Sequence, residues 1–256
     1  MFRIWLLVVH TSAVNVFGIT LPGDFLQGNG RIVGGNNAVS RQFPFMASLH
    51  TAVNDHICGA SILSERWLVT AGHCTVGRLP EGVRAVVGSH LFNAGDHHRV
   101  ARIVNHPSFD PITSRGDVAL VQTSSMMIFI PVVQPIALAD EIVEAAVGAI
   151  IVGWGRLSAT GGFSNTLQWK NAEIISLGEC RGRFSDYFAS LVSTENICTT
   201  SAPGGGVCYG DAGGPLVLND QLQGIVSWWI GCGTSTPVVY TRVSSYREWI
   251  LDTIRS

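Results

Sequence analysis

Three separated segments of the chain carry the residue types that nucleophilic catalysis requires. His73 lies in Thr70-Ala71-Gly72-His73-Cys74, directly after a strand-like apolar run, a position suited to presenting an imidazole at a strand end. Asp117 precedes the wholly apolar Val118-Ala119-Leu120-Val121, which draws its carboxylate inward, where it needs a partner. Residues 210–216, Gly-Asp-Ala-Gly-Gly-Pro-Leu, form a glycine-rich turn entering another apolar run, and such a turn can aim backbone N–H groups at one point.

The elements that must hold these segments are short strands. Apolar runs at 45–49, 60–63, 67–70, 83–87, 118–121, 149–152 and 224–227 alternate with turn residues drawn from 29 glycines, which predicts an all-β barrel or sandwich. One helix is expected at the C-terminus, opened by a Ser245/Glu248 capping-box spacing, with Trp249, Ile250 and Ile254 on the face that docks.

The hydrophobic fraction of 46% over 256 residues supplies one large core or two coupled ones, and with 13% charged residues disorder is excluded. A formal net charge of -2 without charge runs excludes a phosphate-neutralising stripe, so nucleic acid is not an expected partner. Residues 1–18 combine Arg3 with the apolar stretch 4–9 and a small-residue end, the layout of a secretory signal peptide. Residues 19–31 read as a propeptide, and no later apolar stretch is long enough to span a bilayer. The mature chain is therefore expected to be extracellular and soluble, with no membrane partner. Its six cysteines then pair by default, although spacing does not choose the pairing; the absence of a Cys-x-x-Cys pair argues against a metal site.

From Ile32 to its end the chain resembles the chymotrypsin-like (trypsin-type) serine proteases. The resemblance rests on Arg31-Ile32-Val33-Gly34-Gly35, the His73 and Asp117 segments, Gly153-Trp154-Gly155, residues 210–215, and Ser227-Trp228. It implies two six-stranded antiparallel β-barrels with the active site in the cleft between them, residues 32–256 forming that unit. It also implies His73 as general base, Asp117 as its orienting partner, and the N–H groups of Gly210 and Ala212 as an oxyanion hole. The family's nucleophilic serine aligns with Ala212, which has no hydroxyl to activate, and the neighbouring Gly213 and Gly214 offer no substitute.

The same resemblance places Gly206 at the floor of the primary pocket, with Tyr209, Ser227, Trp228, Trp229 and Val238 around it; an indole at Trp229 is expected to narrow or close the pocket. Cleavage after Arg31 by an activating protease would free the amine of Ile32 to pair with Asp211. The implied disulfides are Cys58 with Cys74, Cys180 with Cys198, and Cys208 with Cys232.

The function expected on these grounds is that of a secreted, catalytically inactive serine protease homologue acting as a monomer by binding a protein or peptide, as a regulator, cofactor or decoy in proteolysis. The alternative is an active elastase- or chymotrypsin-like endopeptidase whose serine was replaced by alanine. No cofactor or metal is expected: Ser89-His90-Leu91-Phe92 stands where calcium-binding relatives carry acidic ligands. His97 and His98 are expected on a solvated loop, and Arg115-Gly116-Asp117 is set aside as an adhesion motif because its aspartate is needed inside.

Overall fold

The computed structural model describes residues 34–200 and 205–256; the segments read above as signal peptide and propeptide, with Arg31 and Ile32, lie outside the described residues. Strands β1 (Met46–Thr51), β2 (His56–Ile62), β3 (Trp67–Thr70), β4 (Val83–Val87), β5 (Asp96–Asn105) and β6 (Ala119–Thr123) close into an antiparallel barrel in the order β1-β2-β3-β6-β5-β4. The runs at 67–70 and 83–87 coincide with strands, and their Leu68, Val83 and Val87 side chains fill the barrel with Leu49, Ala60, Ile62 and Val121.

Strands β7 (Val147–Gly153), β8 (Gln168–Ile175), β9 (Asn196–Thr200), β10 (Pro215–Leu218), β11 (Gln221–Trp229) and β12 (Val238–Arg242) form the second barrel. Its order is β7-β8-β9-β12-β11-β10, with β10 returning to β7. Ile151, Ile174, Ile197, Leu216 and Tyr240 make its core. Two short helices, α1 (Leu177–Gly182) and α2 (Asp186–Leu191), lie between β8 and β9.

Helix α3 (Val243–Arg255) ends the chain and docks through buried Tyr246 and Ile250, with Trp249 and Ile254 beside them. Its start differs from the expected capping box. The helix leaves β12 without a loop, no side chain caps it, and Ser245 sits inside the first turn. Arg242, at the cap position, instead sends its Nε–H to the carbonyls of Thr194 and Asn196, so the barrel wall sets the helix's direction.

The barrels meet at a glycine seam. The Gly59 amide in β2 donates to the Ala212 carbonyl at 2.8 Å, and a Cβ on Gly59 would lie 3.0 Å from the Gly214 Cα. Gly213 has φ +74°, and a Cβ there would come within 2.4 Å of the Gly59 carbonyl oxygen. A side chain at Gly213 would drive into the Gly59 backbone, and one at Gly59 would press on the Gly214 backbone across the seam. The disulfides join Cys58 to Cys74, Cys180 to Cys198 and Cys208 to Cys232.

Candidate active site

His73 sits in a single 3-10 turn, Gly72–Cys74, immediately after β3. The Cys58–Cys74 bridge ties this turn to β2. Asp117 is 1% exposed and lies just before β6, where its carboxylate receives three hydrogen bonds. Its Oδ1 accepts from the His73 backbone N–H at 2.8 Å, and its Oδ2 accepts from His73 Nδ1 at 2.8 Å and from Ser227 Oγ at 2.5 Å. Thr241 Oγ1 donates to the Asp117 carbonyl at 2.7 Å and anchors the backbone as well.

This arrangement fixes the imidazole's tautomer, with the proton on Nδ1 toward Asp117 and the lone pair on Nε2 toward the cleft. Burial works to lower the His73 pKa, but the hydrogen bond and charge of Asp117 outweigh it and hold the ring above its ordinary value. Nε2 lies 3.7 Å from Cys74 Sγ. Cys58, His73 and Cys74 are close enough together to suggest a metal site, but both sulfurs are consumed in the disulfide.

The turn at 208–214 is organised around Asp211, which is 1% exposed. Its Oδ1 accepts from the Gly155 N–H at 2.8 Å and its Oδ2 from the Cys208 N–H at 2.9 Å. Burial pushes its pKa up to about 7, against the lowering effect of those two N–H groups. The amides of Asp211, Gly213 and Gly214 are bonded to the carbonyls of Cys208, Val226 and Asp211. Those of Gly210 and Ala212 have no partner among the described residues. Gly210 takes φ +96°, a backbone state that glycine adopts without steric cost. Two unpaired N–H groups flanking a folded-back turn are what an oxyanion requires.

Around the expected pocket, Gly206 has φ +130° and Val238 is buried. Trp229 is packed at once against the cluster containing Ala212 and Cys58 and the cluster containing Val207, Val226 and Val238. Tyr209, 57% exposed, meets its edge at 6.2 Å. Trp228 turns away from this pair and packs on Phe184 and Phe188 at 5.1 and 6.2 Å. The expected grouping of three aromatics is therefore a pair plus a separate cluster, because successive strand residues face opposite sides.

His97 and His98 lie on strand β5 rather than a loop, His97 ring to ring with His50 at 6.5 Å and His98 bonded to Ser125 Oγ. Arg115 is exposed and 3.4 Å from Glu195, whereas Asp117 is interior, so the Arg-Gly-Asp tripeptide is not displayed as a unit. Two residues beside the site carried no catalytic motif in the sequence: His56 and Ser48. His56 Nε2 bonds the Gly210 carbonyl at 2.8 Å, and Ser48 Oγ bonds His56 Nδ1 at 2.7 Å.

Two barrels meeting at a His–Asp–Ser hydrogen-bonded frame and a pair of free turn amides define a serine-protease scaffold. The trypsin family profile matches residues 32–250. The chain is 34% identical over 231 residues to Trypsin II-P29 of Gallus gallus, covering 88% of this chain and 89% of that protein. It is 37% identical over 236 residues to Serine protease SP24D of Anopheles gambiae, covering 90% and 83%. Among solved structures, neuropsin, a serine protease expressed in the limbic system of mouse brain, superposes with a TM-score of 0.79 at 29% identity, covering 86% of this chain and 98% of that one. The chain belongs to the trypsin family.

Proposed function

We propose that the mature chain is a secreted, catalytically inactive member of the family that binds a protein or peptide in its cleft without cutting it, as a regulator, cofactor or decoy in proteolysis. One observation carries this: the His73–Asp117–Ser227 frame is complete, yet the position it serves is Ala212. Without a hydroxyl there is no proton for Nε2 to take and no lone pair to attack a carbonyl. Trp229, wedged between the two clusters that border the pocket, supports a cleft that holds ligand at its rim more than in a deep specificity pocket.

In this proposal residues 1–18 direct secretion and residues 19–31 are released by a protease cutting after Arg31. The freed Ile32 amine then meets Asp211, whose buried carboxylate otherwise has no cationic partner among the described residues. The chain needs no cofactor and works as a monomer.

The test is to treat the chain, cut at Arg31, with a serine-directed phosphonate and with peptide nitroanilides. Neither labelling nor turnover is expected, and stoichiometric active-site labelling overturns the proposal. The intact frame equally fits an active elastase- or chymotrypsin-like enzyme in which alanine replaced serine at 212. Reading codon 212 in the gene separates the two.

A further inference from the structure

Arg242, the last residue of β12, is a buried cation with more donors than acceptors. It is 6% exposed and forms no ion pair with a carboxylate among the described residues. Its Nε–H is shared between the carbonyls of Thr194 and Asn196 at 3.2 and 3.1 Å, and an Nη1 hydrogen goes to the Val143 carbonyl at 3.1 Å. A guanidinium carries five N–H groups. Two are used, which leaves both hydrogens of Nη2 and one of Nη1 without an acceptor among the described residues. Burial pulls the pKa of the group down and the charge of Glu144 works against that pull. Because a guanidinium keeps its proton even so, the spare donors belong to a full positive charge.

These donors are not sealed inside the protein. The buried side-chain atoms without a partner are Ser61 Oγ, Gln168 Oε1 and Arg247 Nε, so Nη2 of Arg242, which also makes no bond, keeps accessible surface. Arg242 borders a cavity of about 300 Å³, lined by Ile142, Glu144, Ser176, Leu177 and Thr194. These residues come from the segment before β7, the start of α1 and the turn before β9. None of them belongs to the His73–Asp117–Ser227 frame or borders the primary pocket.

The cavity's chemistry is uneven, and the unevenness selects a ligand. Spare N–H groups on a planar fork match the two oxygens of a carboxylate. Ser176 Oγ accepts from the Glu179 N–H and so keeps its own hydrogen to donate. Ile142 and Leu177 offer apolar wall. Ile142 is 65% exposed, so a ligand body lying on it removes apolar surface from water. Glu144 is the one acid in the lining and is exposed, so it disfavours a second negative charge.

We infer that Arg242 and the cavity beside it form a binding site for a small organic monocarboxylate with an apolar body, an aryl or short acyl acid. An inorganic dianion fits it poorly, because its second charge faces Glu144 and it leaves the apolar wall uncovered. The inference does not depend on what stands at position 212 or on what the cleft binds.

The experiment is titration of the ¹⁵N-labelled protein with benzoate, with benzamide as its uncharged isostere and sulfate as the inorganic anion, read by amide and arginine Nε NMR. Benzoate is expected to saturate one site, to move the Arg242 Nε–H and Leu177 amide signals together, and to bind at least about ten-fold tighter than benzamide, the worth of charge-assisted hydrogen bonds. Sulfate should bind more weakly than benzoate. Glu144→Gln removes an exposed charge that holds no structural bond, so it should tighten benzoate by about three-fold and leave benzamide unchanged. Arg242→Gln should bring benzoate down to the level of benzamide. Since Arg242 also ties three carbonyls, the Glu144 variant decides the matter if the Arg242 variant fails to fold. Equal binding of benzoate and benzamide, tighter binding of sulfate, a benzoate affinity that ignores Glu144→Gln, or shifts centred on Trp229 and Gly206 instead of Arg242 overturn the inference.

Discussion

Restoring the hydroxyl at position 212 tests whether the scaffold is intact. Ala212 is 8% exposed and its carbonyl is fixed by Gly59, so Ala212→Ser adds one oxygen at the cleft without disturbing the seam. Asp117 already holds His73 through two hydrogen bonds, and the Gly210 and Ala212 amides are free. In enzymes of this mechanism, losing the serine costs about 10⁶-fold in turnover. On the proposed reading Trp229 narrows the pocket and forfeits part of the recovery, so a gain of about 10³-fold or more over the alanine form is expected.

The assay is hydrolysis of peptide nitroanilides by the variant cut at Arg31. Gly206 offers no carboxylate to a basic residue, and burying an unpaired cation costs several kcal/mol, so small residues such as Ala or Val should be preferred. His73 must be neutral to act as base. Because Asp117 keeps its pKa above the ordinary 6.5, activity should fall as pH drops through a midpoint above 6.5. Adding Asp117→Asn, a change that costs about 10⁴-fold in enzymes of this mechanism, should return the rate to that of the alanine form. No recovery after correct cleavage would refute the claim that the frame is intact, and robust cleavage after Arg would refute the pocket assignment.

In the uncut chain the folded pKa of Asp211, about 7, stands above its ordinary 3.8, so the folded state binds the extra proton between these values. Its contribution is complete below pH 3.8 and is lost as pH rises through 7. Relative to Asp211→Asn, wild type should lose about 4 kcal/mol across that window in urea titrations; a flat difference would count against it. Gly155→Ala would place a Cβ 2.3 Å from Asp211 Oδ2, and about 2–4 kcal/mol of destabilisation is expected from overpacking and the lost amide bond, read by thermal unfolding. Trp229→Gly should destabilise by less than the roughly 3–5 kcal/mol of a fully buried indole, because Trp229 is half-buried, and, in the Ala212→Ser background, extend cleavage toward Phe; unchanged specificity would place the indole outside the pocket.

Much of the architecture was legible because its signal is local. Residues 67–70 and 83–87 read as strands from their Val and Leu content alone, and both are strands. Strand β5 was missed because Asp96, His97, His98, Arg99 and Arg102 leave its first half without an apolar alternation; its pairing with β4 and β6, not its composition, makes it a strand. Helices α1 and α2 are too short for a helical period to show. His73 and Asp117 stood out through the segments around them, whereas Ser227 owes its bond to a carboxylate 110 residues earlier in the chain. His50 and Ser48 carry no motif. Ser48 reaches the Gly210 turn only through His56 on the neighbouring strand, a contact set by the pairing of β1 with β2.

The glycine seam has a consequence for how the molecule comes into being. The turn bearing residue 212 belongs to the second barrel, yet its carbonyl is held by a strand of the first, more than 150 residues away along the chain. Such a contact closes a very long loop, and its entropic cost is recovered only after each barrel has largely formed. The hole and the His73 turn therefore become neighbours late in folding, when the halves dock. A chain that closes both barrels but fails to dock them would retain its strands and lack the site, so recovery of the cleft is a sensitive measure of complete refolding.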